Sequence, residues 1–314
     1  MFDSQIQQAI ASLNREGVVA IPTETVYGLA ADASSDKAVA AIYAIKNRPV
    51  FNPLILHVEH GEQAFLFGDF SPEAQRLAKL FWQPGTPAHR PLTLIVPIRR
   101  GISLSKLATV GLETVGIRVP DHPLTQALLH RHGRPLFAPS ANMSTKISAT
   151  DASIVQETLG DKISCLLDGG PCRIGLESTI LDTTIAPFSL LRYGGTTLEE
   201  LTSVCGYAPK LSSPGSVMKA PGMLKKHYVP SLKLKMNQTE PKEGEAFLGF
   251  GQISFGPYNL SVSKDLREAA GNLFRFLYAL DDPQRFSGIR VAPIPQEGLG
   301  WAINDRLERA SCSE

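Results

Sequence analysis

The stretch that decides the fold is a short apolar run followed at once by polar residues: Val18-Val19-Ala20-Ile21, then Pro22-Thr23-Glu24-Thr25-Val26-Tyr27-Gly28. The apolar run predicts a buried strand. Open α/β sheets bind small ligands beyond the carboxyl ends of their strands, so hydroxyl groups at this point are candidates for orienting one. The alternative interpretation of the same polar residues is a turn with a helix cap.

Helix and strand signals continue to alternate through the first two-thirds of the chain. Helices are predicted at residues 4–16, after Ser35, and after Ser71-Pro72. Further strands are predicted at residues 53–58, 92–98, 114–119, 136–138, 165–167, 179–181 and 190–191. So many strands separated by helices predict an α/β fold with a large, twisted, mixed sheet flanked by helices.

The alternation breaks at residues 206–242, which are rich in Pro, Gly, Ser and Lys. Segments of that length are usually linkers or functional lids. Beyond them, two strands and two helices between residues 246 and 310 predict a small α/β (Rossmann-like) unit. The predicted organisation is therefore a large unit at 1–205, a linker at 206–242 and a small unit at 243–314.

Composition narrows the class of protein. A formal net charge of +1 over 314 residues argues against a basic nucleic-acid coat but leaves local basic patches open, such as the six lysines between Glu200 and Glu240. The four cysteines form no Cys-x-x-Cys pair, and no histidine cluster has zinc spacing, so no metal site is predicted. Without an apolar run of membrane-spanning length or a signal sequence, we expect a soluble, cytoplasmic protein with no membrane contact.

The sequence contains neither a P-loop nor a dinucleotide-binding glycine turn. The candidate catalytic and binding residues are instead the polar residues at the ends of predicted helices and strands. Lys46 and Arg48 can clamp a triphosphate, although cations at a helix end also simply favour the helix dipole. Ser140 and Asn142 follow a strand, where small polar residues bind phosphate. His57 lies inside an apolar strand and is either a core histidine or a site residue.

The order of these motifs resembles that of the YrdC-like threonylcarbamoyl-AMP synthases in their long, two-domain (Sua-type) form. The resemblance covers nearly the whole chain. Its motifs are Pro22 to Leu29, Lys46 to Pro49, Asn52 to Leu54, Pro91 to Leu94, Arg118 to Pro120, Ala138 to Asn142, Asp168 to Gly170, Glu177 to Thr179, Leu191-Arg192, Ala220 to Met223, His227 to Pro230, Ile294 to Gly300 and Ala302 to Leu307.

The resemblance implies a nucleotidyltransferase that condenses L-threonine, bicarbonate and ATP into threonylcarbamoyl-AMP, with release of pyrophosphate and water. Mg²⁺ is expected to bind with ATP as the cofactor. A separate transferase would then use the product to form threonylcarbamoyladenosine in tRNA. Residues 1–205 would be the catalytic domain, and residues 206–242 would fold over the active site as a lid.

The resemblance also implies roles for individual residues. Lys46 and Arg48 would be catalytic. Threonine would be held by Thr25, His57, Arg118 and Ser178. ATP would be bound by Arg48, Asn52, Thr114, Ala138, Ser140, Ser148, Arg192 and Tyr228. The physics agrees, because cations and oriented hydroxyls must offset the charge of a carboxylate, bicarbonate and a triphosphate.

The chain departs from the family pattern at one loop. The family usually runs Trp-Pro-Gly-Pro-Leu-Thr, whereas the residues Thr86 to Arg90 extend this connection between Trp82 and Thr93. This polar loop can alter access to the site. Two other functions are alternatives: a double-stranded RNA or tRNA-binding module without catalysis, and a carbamoyl-adenylate enzyme with another acceptor. Direct contact with RNA stays open.

Overall fold

The protein is described by a computed structural model over residues 2–212 and 227–312. The helices of this part are α1 (Phe2–Asn14), α2 (Asp36–Lys46), α3 (Gly61–Phe67), α4 (Pro72–Phe81), α5 (Lys106–Thr109), α6 (Pro123–His132), α7 (Ala152–Leu159), α8 (Leu198–Cys205), α9 (Leu266–Leu280) and α10 (Gly300–Ser311). The strands are β1 (Val19–Ile21), β2 (Gly28–Asp32), β3 (Ile55–His57), β4 (Leu92–Pro97), β5 (Thr114–Arg118), β6 (Leu136–Phe137), β7 (Cys165–Leu166), β8 (Thr179–Asp182), β9 (Ser189–Arg192), β10 (Lys210–Leu211), β11 (Leu234–Lys235), β12 (Glu245–Leu248) and β13 (Gly288–Val291).

A ten-stranded sheet forms the larger unit, in the order β10-β9-β8-β4-β5-β3-β6-β2-β1-β7. Parallel pairs such as β3 with β5 alternate with antiparallel pairs such as β4 with β5. The predicted large, mixed sheet flanked by helices is therefore confirmed. Its main core contains strand residues such as Leu56, Leu94 and Ile117 and helix residues such as Ile42 and Leu77.

Capping residues begin the helices that flank this sheet. The Ser35 side chain accepts a hydrogen bond from the amide of Ala38 at the start of α2. Ser71 does the same for the amide of Ala74 in α4, where Pro72 occupies the first turn. These contacts satisfy amide groups that have no partner inside a helix. The helix starts predicted at Ser35 and Ser71 are confirmed.

A three-stranded parallel sheet, in the order β11-β13-β12, forms the smaller unit with α9 and α10. It has a core of its own, which includes Leu273, Phe274 and Ile303. Strands occur at both ends of the predicted linker, since β10 pairs with β9 of the large sheet and β11 pairs with β13 of the small one. The middle of the predicted lid, residues 213–226, lies outside the described residues.

The two units pack closely at one loop. Gly175 has a φ of +72°, and a Cβ atom there would lie 2.6 Å from the carbonyl oxygen of Ala270 in α9. Tyr193 stacks on Trp301 of α10 with ring centroids 6.0 Å apart. The small unit is thereby placed beside residues 175–195 of the large unit. Within the described ranges, no helix has the length and apolar character needed to cross a membrane.

Leu94 offers a test of the large core. Its side chain is fully buried in the central strand β4. We expect Leu94→Ala to lower the free energy of unfolding by about 2–5 kcal/mol, because the substitution removes buried contacts and leaves a cavity. Urea unfolding followed by circular dichroism measures this. Leu107→Ala is the control, since Leu107 is 45% exposed and its loss should change the value by about 0.5 kcal/mol or less. Equal effects of the two substitutions would contradict the assignment of the core.

Candidate active site

Two neighbouring parallel strands, β3 and β5, end at a small cavity. His57 ends β3, Arg118 ends β5, and the register places these two residues opposite each other. The cavity has a volume of about 50 Å³. It is lined by Thr23, Thr25, Val26, Tyr27, Gly28, Arg48, Ile55, His57, Arg118, Ala138, Pro139, Ser140, Glu177, Ser178, Arg192, His227 and Tyr228. The structure thus brings together most of the predicted site residues.

The polar stretch after β1 forms one wall through its own hydrogen bonds. The Thr23 hydroxyl accepts from the amides of Thr25 and Val26 and lies 2.7 Å from the carbonyl oxygen of Val26, to which it donates. Because its one proton is used there, the Thr25 hydroxyl must donate to Thr23, 2.7 Å away. Thr25 in turn accepts from Nη1 of Arg118 at 3.1 Å. The turn proposed as the alternative does exist, and it orients Thr25 toward the cavity.

Arg118 is held by a buried carboxylate. Its Nη2 donates to Oε1 of Glu24, and the other carboxylate oxygen accepts from the amide of Asp121 at 2.8 Å. Burial disfavours the charged form of Glu24, but Arg118 and His89 outweigh burial and lower the pKa of Glu24 to about 2. Nε of Arg118 is buried and has no hydrogen-bond partner in the described part of the chain. That donor is therefore not used by the described part of the chain.

His57 lines the cavity as a neutral ring. Burial, together with the nearby Arg118, lowers its pKa to about 3. Its Nδ1 lies 3.0 Å from the carbonyl oxygen of Ile55, so Nδ1 must carry the proton. Nε2 then has a lone pair and can accept a hydrogen bond. Its place among the lining residues favours the interpretation as a site residue over that as a core histidine.

Two more arginines face the cavity. Arg48 donates to the carbonyl oxygens of Asn52 and Pro53, and Arg192 donates to that of Ser178 at 2.8 Å. Burial lowers the pKa of each arginine to about 10, so both stay charged at pH 7. The Ser178 hydroxyl lies 2.8 Å from that of Thr93. The cavity therefore offers fixed positive charge for an anion of high charge.

Four predicted site residues lie outside the cavity lining. Lys46 is buried and donates to the carbonyl oxygens of Ser140 and Asn142, so that its ammonium group holds the 140–142 turn. Asn52 is buried behind Arg48, and Ser148 donates to Glu177 at 2.8 Å. Thr114 begins β5, about 13 Å from Arg118 by the rise of a strand. Direct contact of these four with substrates stays a prediction.

Tyr228 closes the cavity from the side of the small unit. Its ring stacks on Phe274 of α9 with centroids 5.2 Å apart, and the guanidinium of Arg306 lies 5.3 Å from its centroid. The segment is also tied to the large unit, since the amide of Val229 donates to the carbonyl oxygen of Thr145. Burial lowers the pKa of the adjacent His227 to about 3, so this ring is neutral too.

Sequence reasoning assigned no role to Glu24, Glu177 or Arg306. Arg306 of α10 is fully buried, and its Nε donates to Glu177 at 2.8 Å. Glu177 lines the cavity, and Arg306 and Arg192 outweigh its burial and lower its pKa to about 2. The small unit thus supplies part of the wall of the site. The signal available in the sequence was the position of all three inside the quoted motifs.

The residues that the structure describes do not form a metal site of their own. No group of three or more His, Cys, Asp and Glu side chains that could hold a metal occurs within residues 2–212 and 227–312. The two carboxylates at the cavity, Glu24 and Glu177, are each committed to an arginine. A Mg²⁺ ion would therefore enter with the phosphates of a nucleotide, which is how this ion is commonly bound.

The sequence is similar to those of proteins of known family. Residues 11–194 match the Sua5_yciO_yrdC family, described as "Telomere recombination", and residues 196–312 match the family described as "Threonylcarbamoyl-AMP synthase, C-terminal domain". The chain is 38% identical to the threonylcarbamoyl-AMP synthase of Pyrococcus abyssi, over 96% of this chain and 92% of that protein. The chain belongs to the threonylcarbamoyl-AMP synthase family.

The chain is also similar to a second synthase and to two solved structures. The threonylcarbamoyl-AMP synthase of Bacillus subtilis is 39% identical over 98% of this chain and 93% of its own length. The crystal structure of P. abyssi Sua5 complexed with L-threonine superposes with a TM-score of 0.88 at 36% identity, and covers 98% of this chain and 94% of that one. The fold of Escherichia coli YciO is also similar, with a TM-score of 0.52 at 23% identity.

The neutral state of His57 predicts a pH dependence of stability. An unfolded histidine binds a proton near pH 6.5, whereas folded His57 does so only near pH 3. Since the unfolded chain binds more protons between these values, the free energy of unfolding should fall as the pH drops through this window. The contribution is about 1.4 kcal/mol per pH unit for each such group.

His57→Gln should make the free energy of unfolding depend less steeply on pH between pH 6.5 and 5. Measured by urea unfolding, the slope should correspond to about one proton fewer taken up on unfolding than in the wild-type protein. His60→Gln, at an exposed position, is the control. An unchanged slope in His57→Gln would contradict the buried neutral ring.

The ion pair between Arg306 and Glu177 predicts a large loss of stability. Arg306→Met leaves the Glu177 carboxylate buried without its partner, which typically costs about 3–5 kcal/mol. Urea unfolding measures the loss, and the double variant Glu177→Gln/Arg306→Met should recover part of it. Arg309→Met, on the more exposed part of α10, is the matched control and should cost far less. A loss in Arg306→Met no larger than in Arg309→Met would show that the buried pair contributes little.

Proposed function

We propose that the chain uses the cavity to condense L-threonine with bicarbonate and to transfer AMP from ATP to the product, as an L-threonylcarbamoyladenylate synthase. One observation carries the proposal: Arg118, whose buried Nε has no partner in the described chain, lines a cavity together with Ser178 and the neutral ring of His57. A guanidinium, a hydroxyl and a ring acceptor match the carboxylate, hydroxyl and amine of threonine. The threonine complex of the P. abyssi protein, at 36% identity, supports this choice.

Arg118 is the proposed partner of the threonine carboxylate. Its other nitrogens are fixed by Glu24 and Thr25, so the free donor is oriented before the substrate arrives. Nε2 of His57 would accept a hydrogen bond from the amine. With a pKa of about 3, His57 is a weak base and is better suited to orienting the amine than to storing its proton.

The proposed first step forms a carbon–nitrogen bond. The nitrogen of threonine, as the ammonium ion, and bicarbonate give N-carboxythreonine, one water and one proton, which leaves to solvent. In the second step a carboxylate oxygen of this intermediate attacks the α-phosphorus of ATP. The bond from that phosphorus to the bridging oxygen breaks, and pyrophosphate leaves. No side-chain nucleophile is required, because ATP supplies the activation.

Arg48 and Arg192 are proposed to balance the charge of the phosphates, with Ser140 and the backbone at Ala138 as further contacts. Both arginines stay charged inside a buried site, where electrostatic stabilisation is strong. Mg²⁺ would enter with ATP. Lys46, Asn52 and Ser148 would act indirectly. Lys46 would hold the 140–142 turn, Asn52 would hold Arg48, and Ser148 would hold Glu177.

The nucleotide is proposed to extend along β5 toward Thr114. Thr114, Gly116 and Arg118 share one face of the strand, because side chains alternate between faces. Gly116 presents no side chain between the other two, and a Cβ atom there would lie 3.0 Å from Ile95. Side chains of Ile95, Thr93 and Ile55 already fill this position, so a nucleotide would have to extend past them to reach Thr114.

Tyr228 is proposed to move when substrates bind. Ligand pockets usually measure about 300–1,000 Å³. The volume of about 50 Å³ under Tyr228 is too small for threonine together with ATP. A segment that opens for substrates and closes for reaction would keep water from a reactive adenylate. The adenylate would then pass to a separate transferase that modifies tRNA.

The reaction can be tested by pyrophosphate release. We expect release from ATP only when threonine and bicarbonate are both present, with serine weakly active. Valine, which has a similar shape but no hydroxyl, should be inactive, because it leaves buried polar groups of the site unpaired. Release that is equal with valine, or independent of bicarbonate, would contradict the proposal. A protein that binds RNA but releases no pyrophosphate would favour the RNA-binding alternative.

Arg48 provides the matching test of the phosphate site. Arg48→Ala should lower turnover by about 10²–10³-fold at saturating substrates, as expected when one charge-stabilising contact is lost. Arg99→Ala is the control, because Arg99 lies on the surface and its guanidinium donates to the carbonyl oxygen of Phe65. Circular dichroism confirms that both variants fold. Near-normal turnover in folded Arg48→Ala would mean that this arginine only ends the helix.

A further inference from the structure

The loop of residues 86–90, in which the sequence departs from the family pattern, carries a buried histidine next to the active site. This residue, His89, is not in the lining of the cavity under Tyr228. Its ring lies instead beside Glu24, the carboxylate that pairs with Arg118. The described contacts therefore connect the ring to the cavity through Glu24 and Arg118.

The three side chains share one oxygen atom. Oε1 of Glu24 accepts from Nη2 of Arg118, and Nε2 of His89 lies 3.7 Å from the same atom. That distance exceeds the length of a hydrogen bond. The three side chains are at most 5% exposed, however, so water screens their attraction little. Against the effect of burial, Arg118 and then His89 lower the pKa of Glu24 to about 2.

The ring of His89 has no hydrogen bond of its own. Neither ring nitrogen has a hydrogen-bond partner among the described residues. A lone pair on Nε2 would repel the carboxylate of Glu24, so the neutral ring favours the tautomer that carries its proton on Nε2. A buried polar group without a partner is costly, and the attraction between this N–H and the carboxylate offsets part of the cost.

The loop that carries the histidine is itself fixed to the large unit. The amide of Gly85 donates to Oδ1 of Asp121 at 2.6 Å, and the amide of Asp121 donates to Oε2 of Glu24 at 2.8 Å. Arg90, the residue after His89, forms an ion pair with α8 at 2.6 Å. Both oxygens of the Glu24 carboxylate are thus linked to this loop, one through Asp121 and one through His89.

We propose that His89 is a positioning residue for threonine binding. It holds the carboxylate of Glu24, and Glu24 holds Arg118 in the orientation that receives the carboxylate of threonine. The inference rests on the proposed role of Arg118. A substrate carboxylate beside Arg118 repels the carboxylate of Glu24, and like charges at such a distance disfavour the ionised forms of both. The N–H of His89 stabilises the charge of Glu24 and so reduces this penalty.

Isothermal titration of the full chain with L-threonine tests the role of His89. His89→Leu removes the N–H and keeps a buried side chain. It should weaken threonine binding by about 3- to 10-fold, as expected for the loss of a contact comparable to an ordinary hydrogen bond. His89→Gln should restore most of the affinity, because its amide places an N–H near the position of Nε2. Thr86→Ala is the control in the same loop, since the hydroxyl of Thr86 donates to the carbonyl oxygen of Gln83.

Pyrophosphate release separates a positioning role from a general loss of structure. In His89→Leu the apparent KM for threonine should rise by a similar factor, whereas the apparent KM for ATP should stay unchanged. The phosphates are assigned to Arg48 and Arg192, neither of which pairs with Glu24. A loosened fold would raise both values of KM, and that result would count against the inference.

A second measurement uses the wild-type chain, so it decides the question even where His89→Leu does not fold. In protein labelled with ¹⁵N-histidine, L-threonine should shift the ring resonances of His89, although the ring does not line the cavity. Threonine binding that leaves these resonances unchanged, or that is equally strong in folded His89→Leu, would overturn the inference and leave the proposed function intact. A wild-type chain that binds no threonine would overturn both.

Discussion

The structure depends on two buried arginines that are each paired with a buried carboxylate. Arg118 faces Glu24, and Arg306 faces Glu177, with every one of these groups withdrawn from water. An unpaired charge in such a place would be strongly unfavourable, so each partner requires the other. Each pair also contributes one residue, Arg118 or Glu177, to the lining of the cavity. The ion pairs that balance the buried charges therefore also help to form the wall of the site.

This balance explains why a two-unit architecture surrounds one small site. Arg306 belongs to α10 of the small unit, yet its partner Glu177 lines the cavity of the large unit. Tyr228 lies between Arg306 and Phe274 and covers the same cavity. Separation of the units would expose Glu177 without its partner. The small unit is thus a part of the wall of the site as well as a neighbour of the catalytic sheet.

The sequence predicted the fold well where local signals and packing agree. The caps at Ser35 and Ser71, the buried strand predicted in the run from Val18 to Ile21 and the small α/β unit are confirmed. The resemblance to the family, and not periodicity or spacing, pointed to Thr25, His57 and Arg118, and the structure places all three in the lining of one cavity. Strand β10 and strand β11 carry only two residues each, so periodicity could not separate them from the linker.

What the sequence could not show are contacts between residues far apart along the chain. Lys46 has the chemistry of a phosphate ligand, but the fold places two carbonyl groups of the 140–142 turn around its ammonium group. Glu177 and Arg306 are 129 positions apart, and no local pattern links them. His89 lies in a loop whose length alone stood out, whereas its approach to Glu24 is set by the tertiary fold. Residue type states what a side chain can do, and only its surroundings decide whether it touches the substrate or holds in place the group that does.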